Sequence, residues 1–388
     1  PSIGPGTAIP AVWSQPFPSP KPFHMPIHSL HLAGFRSIRK LTLELDSLNV
    51  VVGPNGCGKS NLYKAIQLLH AAAEGRLSAA LAQEGGAQKA MWAGGARRGD
   101  KARAPKRMIL SARLDDYDYE LQLGYPEPSL SLFSLDPQVK EESLWLAGHG
   151  RRPSTLLLER RNQAAFLCGV EGERNSYPAS LRAEESIFGQ LAEPHRYPEL
   201  SQIRETLRNW RFYHEFAVWP GSPLRAPQVG IRSPVLAHDG ANLAAAFQTI
   251  VEIGDRELLD SMLADAFSDC RFLVDTQQGR FQMLMQRDGL LRPLEAAELS
   301  DGTLRFLCLA VALLSPRPPA FMALNEPENS LHPALLPALA RLIAEASRHS
   351  QLWVTSHSPE LAERIRRHRP LKTFQLTQQD GETQLLDD

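Results

Sequence analysis

Cysteine is scarce in this sequence, and its few occurrences lack the spacing of metal sites or disulfide frameworks. The chain of 388 residues has four widely separated cysteines, Cys57, Cys168, Cys270 and Cys308. Zinc domains need closely spaced ligand pairs, and disulfide-stapled domains need a much higher cysteine density. Both classes are excluded, and we expect buried or incidental thiols in a reducing compartment.

Long apolar runs are absent as well. A membrane-spanning helix needs about 18 to 20 apolar residues in succession, and the best candidate, 306–314, is much shorter. Residues 1–24 contain seven prolines and no continuous apolar core, unlike a secretory signal. We therefore expect a cytoplasmic protein without a membrane partner, a disordered tail over 1–27 and a natural start at Met25.

The chain also has little net charge. Its formal value is −1, so no global attraction to nucleic acid or membranes is expected, and a polyanion must meet a local patch. No heptad repeat is sustained, which excludes a long coiled coil. One basic loop, opposed only by Asp100, is a candidate DNA contact, with a solvated loop as the alternative. Its basic residues are Arg97, Arg98, Lys101, Arg103, Lys106 and Arg107.

What the sequence does contain is a clear alternation of strand and helix patterns at its two ends. A short apolar run at 48–52 is typical of a buried parallel strand, and helical spacing follows from Lys59. After residue 300, helix and strand patterns alternate, which predicts a parallel sheet covered by helices. Further strands are expected around Leu30 and Leu32, and at 41–45, 108–113, 117–123, 130–133, 271–275 and 280–286. Short helices are expected at 183–192, 198–210, 240–252 and 255–267, and a loop at 84–107.

The first chemical motif follows the strand at 48–52. It reads Gly53-Pro54-Asn55-Gly56-Cys57-Gly58-Lys59-Ser60 and fits the phosphate-loop pattern G-x-x-x-x-G-K-[ST]. Its glycines let backbone amides face a polyphosphate, Lys59 is expected to reach the β and γ phosphates, and Ser60 to bind Mg²⁺. With Asn61, these residues form the predicted binding set for ATP and Mg²⁺. A chance glycine-rich turn is the alternative.

Three further motifs follow near the carboxyl end of the chain. The apolar run 321–324 is followed by Asn325 and Glu326, where P-loop proteins usually carry Asp-Glu. Asn325 is a candidate metal ligand, and Glu326 is a candidate catalytic base. The segment Leu299-Ser300-Asp301-Gly302-Thr303 opens a helix. Through Ser300 and Gly302 it suits the γ phosphate of a nucleotide held by another subunit, or serves as an ordinary helix cap. His357 leaves a buried strand and is the second catalytic candidate.

In this order, the motifs resemble the ATPase heads of the RecF and SMC group of ABC ATPases, and most closely the bacterial "predicted ATPase" AAA-type families of that group. The resemblance covers about 28–75 and 290–360. It rests on Gly34-Phe35-Arg36-Ser37, the phosphate loop, the segments 298–303 and 325–333, and Ser356-His357-Ser358.

The resemblance implies an α/β P-loop NTPase fold of the ABC head type. This fold has a mixed core sheet, an antiparallel β lobe and a mostly helical inserted lid or arm. The expected boundaries are 28–135 and 271–388 for the two parts of the head and 136–270 for the insert. Two heads would sandwich two ATP molecules, with Ser300 facing the partner's phosphate loop, 329–332 crossing between subunits and Arg36 near the phosphates or the base.

The activity implied is slow ATP hydrolysis with ATP-dependent dimerisation, in DNA repair, DNA metabolism or phage defence. Asn325, in place of the usual aspartate, puts Mg²⁺ affinity and turnover in question. An ATP-binding switch with little turnover is therefore one alternative, and a transporter ATPase subunit is another. The glutamine loop of the group is not fixed by the sequence, where Gln83 and Gln88 are both candidates.

Overall fold

A computed structural model describes residues 26–95, 105–126, 132–133, 136–177 and 180–386. Most of the predicted tail, and Arg97, Arg98, Lys101 and Arg103 of the basic loop, lie outside these ranges. The strands are β1 (Ile27–Phe35), β2 (Ile38–Glu44), β3 (Leu48–Val52), β4 (Met108–Leu114), β5 (Tyr117–Gly124), β6 (Gln138–Leu146), β7 (Leu156–Arg161), β8 (Ala164–Cys168), β9 (Arg174–Ser176), β10 (Arg211–Tyr213), β11 (Gln228–Val229), β12 (Cys270–Gln277), β13 (Arg280–Arg287), β14 (Leu294–Glu295), β15 (Phe321–Asn325), β16 (Gln351–Ser356), β17 (Lys372–Gln379) and β18 (Glu382–Leu385). The α-helices are α1 (Lys59–Glu74), α2 (Leu77–Gln83), α3 (Gly86–Ala90), α4 (Pro198–Arg208), α5 (Leu243–Ile253), α6 (Arg256–Ala266), α7 (Asp301–Leu313), α8 (Leu336–Ala346) and α9 (Pro359–His368).

The centre of the molecule is a parallel sheet with the strand order β10-β15-β16-β3-β17, to which β18 adds an antiparallel edge. Its central strands are buried on both faces, which explains their continuous apolar sequences. Val51 and Trp353 face a core shared with α1, whereas Val50 and Val354 face a core shared with α7, α8 and α9. The parallel sheet predicted from the sequence is confirmed, and its carboxyl edge gathers the ends of β3, β10, β15 and β16.

An antiparallel sheet with the order β2-β1-β4-β5-β6-β7-β8-β9 covers α1 on its other side. The expected antiparallel lobe is thereby confirmed. The expectation of a mostly helical insert is wrong for 138–176, because β6 to β9 extend this sheet. The helices expected near 198–210, 240–252 and 255–267 are present as α4, α5 and α6, whereas 183–192 holds only a single 3-10 turn at Ile187–Gly189.

A smaller sheet contains the predicted hairpin of β12 and β13, together with β11 and β14. The short helix α3 replaces part of the loop expected at 84–107. Of the strand expected at 130–133, residues 132 and 133 lie in a turn and the other two lie outside the described ranges. Within the residues described, no helix is both long and apolar enough to cross a bilayer.

Candidate nucleotide site

The phosphate loop, the end of β15 and the end of β16 meet around one cavity of about 320 Å³. Because parallel strands present their carboxyl ends at the same edge, motifs separated by hundreds of residues become neighbours there. The cavity is lined by Asn55, Gly56, Gly58, Lys59, Ser60, Asn61, Glu326 and His357. The structure thus brings Lys59 together with both predicted catalytic residues.

Lys59 opens α1 and is almost fully buried, with 4% of its surface exposed. Its Nζ donates hydrogen bonds to the carbonyl oxygens of Gly53 at 2.6 Å and Pro54 at 3.0 Å. These bonds hold the ammonium group inside the loop, next to the positive end of the α1 dipole. Ser60 follows, is exposed and forms part of the cavity lining. Such a concentration of positive potential suits a polyphosphate.

The phosphate loop rests on the hairpin of β17 and β18. Thr383 Oγ1 donates to the Cys57 carbonyl at 2.9 Å and bonds Ser37 Oγ at 2.7 Å. Asn61 Nδ2 donates to the same Ser37 oxygen at 2.7 Å. Gly58 has a φ of 107°, and a Cβ atom there would lie 2.1 Å from Thr383 Oγ1. Glycine is therefore required at this position for two separate reasons, the left-handed backbone and the contact with Thr383.

We expect Gly58→Ala to destabilise the protein more than Gly56→Ala, and to weaken ATP binding. Gly56 has a similar left-handed φ of 81°, but a Cβ atom there would meet no atom within 4 Å. The difference isolates the steric clash, for which overpacking costs about 1–3 kcal/mol. Thermal unfolding of both variants measures it, and adding Thr383→Ala to Gly58→Ala should recover part of the loss. Equal melting temperatures for the two single variants would contradict this role of Thr383.

Glu326 directly follows β15 and is held by several contacts. Its φ of 50° is left-handed, which costs a non-glycine residue about 1–3 kcal/mol. Its N–H donates to the Thr355 carbonyl at 2.8 Å, and its own carbonyl accepts from Arg305 at 3.1 Å. One carboxylate oxygen pairs with His357 Nε2, and the other accepts from Asn329 Nδ2 at 2.6 Å. The carboxylate is thus fixed at the cavity wall, with 18% of the side chain exposed.

Glu328 orients His357, a connection that the sequence reasoning missed. Its Oε1 accepts from the His357 N–H at 2.9 Å and from Ser356 Oγ at 2.5 Å. The loops after β15 and β16 are therefore tied together beside the cavity. Arg305 of α7 lies against the same loops, and burial lowers the pKa of its guanidinium, although Glu215, Glu328 and Glu326 act in the opposite direction.

Asn325 is buried beneath the cavity and uses both ends of its amide. Its Nδ2 donates to His214 Nδ1 at 2.7 Å, and its Oδ1 accepts from the Thr355 hydroxyl. Asn325 is not among the residues that line the cavity. The motif reasoning also missed His214, because this residue follows β10, a strand of only three residues. A neutral amide with a donor and an acceptor fits these two partners, whereas a carboxylate lacks the donor.

Ser300, Gly302 and Arg36 are not among the residues that line this cavity. Ser300 Oγ accepts from the Thr303 N–H at 3.1 Å and so caps α7, while Gly302 faces the Ser330 carbonyl. Arg36 pairs with Glu84 and donates to Asn61 Oδ1 at 3.4 Å, so it reaches the site through Asn61. The two candidates for a glutamine loop, at positions 83 and 88, also lie outside the lining.

The sequence matches the family model described as "AAA domain, putative AbiEii toxin, Type IV TA system" over residues 48–363. The comparison with curated proteins finds no match. Among solved structures, the chain is similar to an SMC head bound to the C-winged helix domain of ScpA. The TM-score is 0.55 at 15% identity, over 93% of this chain and 97% of that one.

A second similar structure is the Smc head domain from Pyrococcus furiosus, with an extended coiled coil and bound to the C-terminal domain of ScpA. Its TM-score is 0.51 at 15% identity, over 93% of this chain and 96% of that one. At such low identity the likeness concerns the fold alone. It confirms the head-type α/β fold expected from the four motifs.

Proposed function

Because the chain belongs to this family of AAA domains, and is an ABC-class ATPase domain with the fold of an SMC head, we propose that it binds and hydrolyses ATP between two copies of itself. The phosphate loop of one copy holds the nucleotide, and the Ser300 segment (299–303) of the other completes the site. One observation carries the proposal: the phosphate loop, Glu326 and His357 line a single cavity of about 320 Å³.

The residues of the cavity fit ATP with Mg²⁺. The left-handed glycines at 56 and 58 form a concave loop, and Lys59 supplies a buried cation. Ser60, an exposed residue of the lining, offers its hydroxyl as a metal ligand. Asn325, the other candidate metal ligand, is buried and does not line the cavity. When bound, Mg²⁺ neutralises charge that develops on the phosphate oxygens.

Glu326 is the general base in this proposal. Its contacts with His357 and Asn329 hold the carboxylate in one orientation at the cavity wall. A carboxylate so held orients an attacking water and accepts its proton. His357, whose backbone is anchored by Glu328, lies at the same wall and donates to the phosphate or to the water.

The second copy is needed because the Ser300 segment does not line the cavity of its own chain. Ser300 stands at the start of α7, a helix of 13 residues whose N-terminal dipole favours anions. A nucleotide held by another copy is the anion that this end suits. The loop 329–332, against which Gly302 packs, then lies beside the same interface.

A switch with little turnover is the second candidate, and the contacts of Asn325 favour it. The amide lacks the charge of the usual aspartate, and both of its ends are engaged by protein groups. We expect Asn325→Asp to lower the Mg²⁺ concentration that gives half-maximal hydrolysis by severalfold, since a carboxylate attracts the metal more strongly. Metal titrations of phosphate release measure this shift. An unchanged half-maximal concentration would exclude Asn325 as the limit on metal binding.

Phosphate release from ATP by the wild-type protein, with and without Mg²⁺, tests the proposed hydrolysis. We expect slow release that requires Mg²⁺ and rises more than linearly with protein concentration, because two copies form the site. Release at the background rate, with ATP bound, would favour the switch.

DNA repair, DNA metabolism or phage defence is the proposed setting, and the basic loop is the proposed DNA contact. Arg107 belongs to the part of the basic loop that the structure describes, and it pairs with Glu141 at 2.5 Å. This ion pair offsets one positive charge of the loop. DNA should stimulate hydrolysis in a salt-dependent manner if the loop binds it. Co-purification with a membrane protein would instead favour a transporter subunit.

A further inference from the structure

Arg225 is the most extensively hydrogen-bonded buried cation near the Ser300 segment. It ends a one-turn 3-10 helix, Pro223–Arg225, within the segment 136–270 that was expected to form the insert, and only 8% of it is exposed. Its Nε donates to the Val218 carbonyl at 2.7 Å. Its Nη1 donates to the carbonyls of Ala296, Ala297 and Leu299 at 3.1, 3.2 and 2.8 Å, and its Nη2 pairs with Asp301.

Two of these contacts involve the residues on either side of Ser300 in the sequence. The Leu299 carbonyl immediately precedes Ser300, and the Asp301 carboxylate immediately follows it. Because guanidinium is planar and has five donors, one side chain fixes several carbonyl directions at once. The path of the backbone into α7, and with it the position of Ser300 and Gly302, is therefore set by Arg225.

Arg225 also acts on the charge of the segment. Asp301 is 57% exposed beside Ser300, where its carboxylate would repel an approaching triphosphate. The pairing with Arg225 offsets that negative charge. The same guanidinium thus shapes the segment and makes its electrostatic potential suitable for an anion.

We propose that Arg225 is a positioning residue for the nucleotide held by the second copy. This inference rests on the proposed function, because it requires that the Ser300 segment acts on the partner's ATP. Its consequence is a defect in trans. Without Arg225, a chain binds ATP at its own phosphate loop normally but fails to complete the site of its partner.

Arg225→Met removes all five N–H donors at similar side-chain length, and Arg225→Lys restores the positive charge with a single donor nitrogen. We expect Arg225→Met to bind ATP with wild-type affinity, and to lose ATP-dependent dimerisation and at least tenfold in hydrolysis rate. Arg225→Lys should recover part of both. Arg160→Met is the matched control, since Arg160 is also buried and donates to the carbonyls of residues 162, 182 and 185, but lies in the antiparallel sheet. Below its melting temperature, this control should dimerise with ATP.

A mixing experiment separates a positioning role from general damage to the fold. Arg225→Met keeps an intact phosphate loop, and Lys59→Ala keeps an intact Ser300 segment, so one complete site forms in the mixed dimer. We expect the mixture to dimerise and hydrolyse ATP, whereas neither variant does so alone. No recovery on mixing, or wild-type hydrolysis by Arg225→Met alone, would overturn the inference. A wild-type protein that stays monomeric with ATP would instead overturn the proposed function.

Discussion

Glu326→Gln is expected to lower the rate of ATP hydrolysis by about 10²–10⁴-fold, the usual contribution of a general base. Glutamine has the same shape, and its amide can still accept a hydrogen bond from Asn329 and contact His357. The contacts that hold the loop after β15 are therefore largely preserved. What is lost is the carboxylate that accepts the proton of water, so ATP should bind normally and remain intact.

Single-turnover phosphate release measures the effect of Glu326→Gln. Glu363→Gln is a suitable control, because Glu363 pairs with Arg366 on the exposed side of α9, away from the cavity lining. The control should hydrolyse ATP at the wild-type rate. If Glu326→Gln also does so, Glu326 is not the base. If the wild-type protein and both variants share the background rate while binding ATP, the chain is a switch.

Lys59→Ala is expected to weaken ATP binding by about a hundredfold. A hydrogen bond from a charged donor contributes about 1.5–3 kcal/mol, and a factor of ten in affinity corresponds to about 1.4 kcal/mol. The substitution removes the ammonium group and also leaves the carbonyls of Gly53 and Pro54 without their donor. Both the charge and the shape of the loop are affected.

Equilibrium titration with a fluorescent ATP analogue measures the affinity of Lys59→Ala. Lys64→Ala provides the comparison, since Lys64 is five residues further along α1 and pairs with Glu84 at 2.9 Å, outside the cavity lining. Its affinity should stay within about twofold of wild type, as expected for a partly exposed ion pair. Similar losses in the two variants would mean that the cavity beside Lys59 is not the ATP site.

The phosphate loop and the parallel sheet were predictable because their signals are local. A phosphate loop needs fixed glycines and a lysine within eight residues, and a strand buried on both faces needs an uninterrupted apolar run such as Leu48–Val52. The order of strands in an α/β sheet then places three of the four motifs, those that follow β3, β15 and β16, at one edge. Sequence alone was therefore sufficient to bring Lys59, Glu326 and His357 to the same cavity.

The strands β6 to β9 were missed because charged residues occupy their buried side. Glu142 and Arg160 have no exposed surface, and their ion pair at 3.3 Å is accompanied by a hydrogen bond from Tyr119 to Glu142 at 2.7 Å. Such a pair interrupts the apolar alternation by which a half-buried strand is identified. Charged residues in a sequence indicate exposed positions, whereas Glu142 and Arg160 are buried because each has a partner of opposite charge.

The supporting residues of the site were missed for another reason. His214 bonds a residue 111 positions away, and Arg225 bonds carbonyls 71 to 74 positions away. No local pattern encodes contacts of this kind, because they depend on how β10 and the turn at 223–225 pack in the finished fold. From the sequence alone, His214 and Arg225 are therefore expected to be ordinary surface residues.

The mass of Glu326→Gln in solution, measured by light scattering with ATP and Mg²⁺, tests most directly whether two copies complete one nucleotide site. The variant should retain ATP, so its complex should persist during the measurement. We expect twice the chain mass of 43.0 kDa with ATP, and 43.0 kDa with ADP or without nucleotide. A mass of 43.0 kDa in a sample that demonstrably holds bound ATP would contradict the shared site.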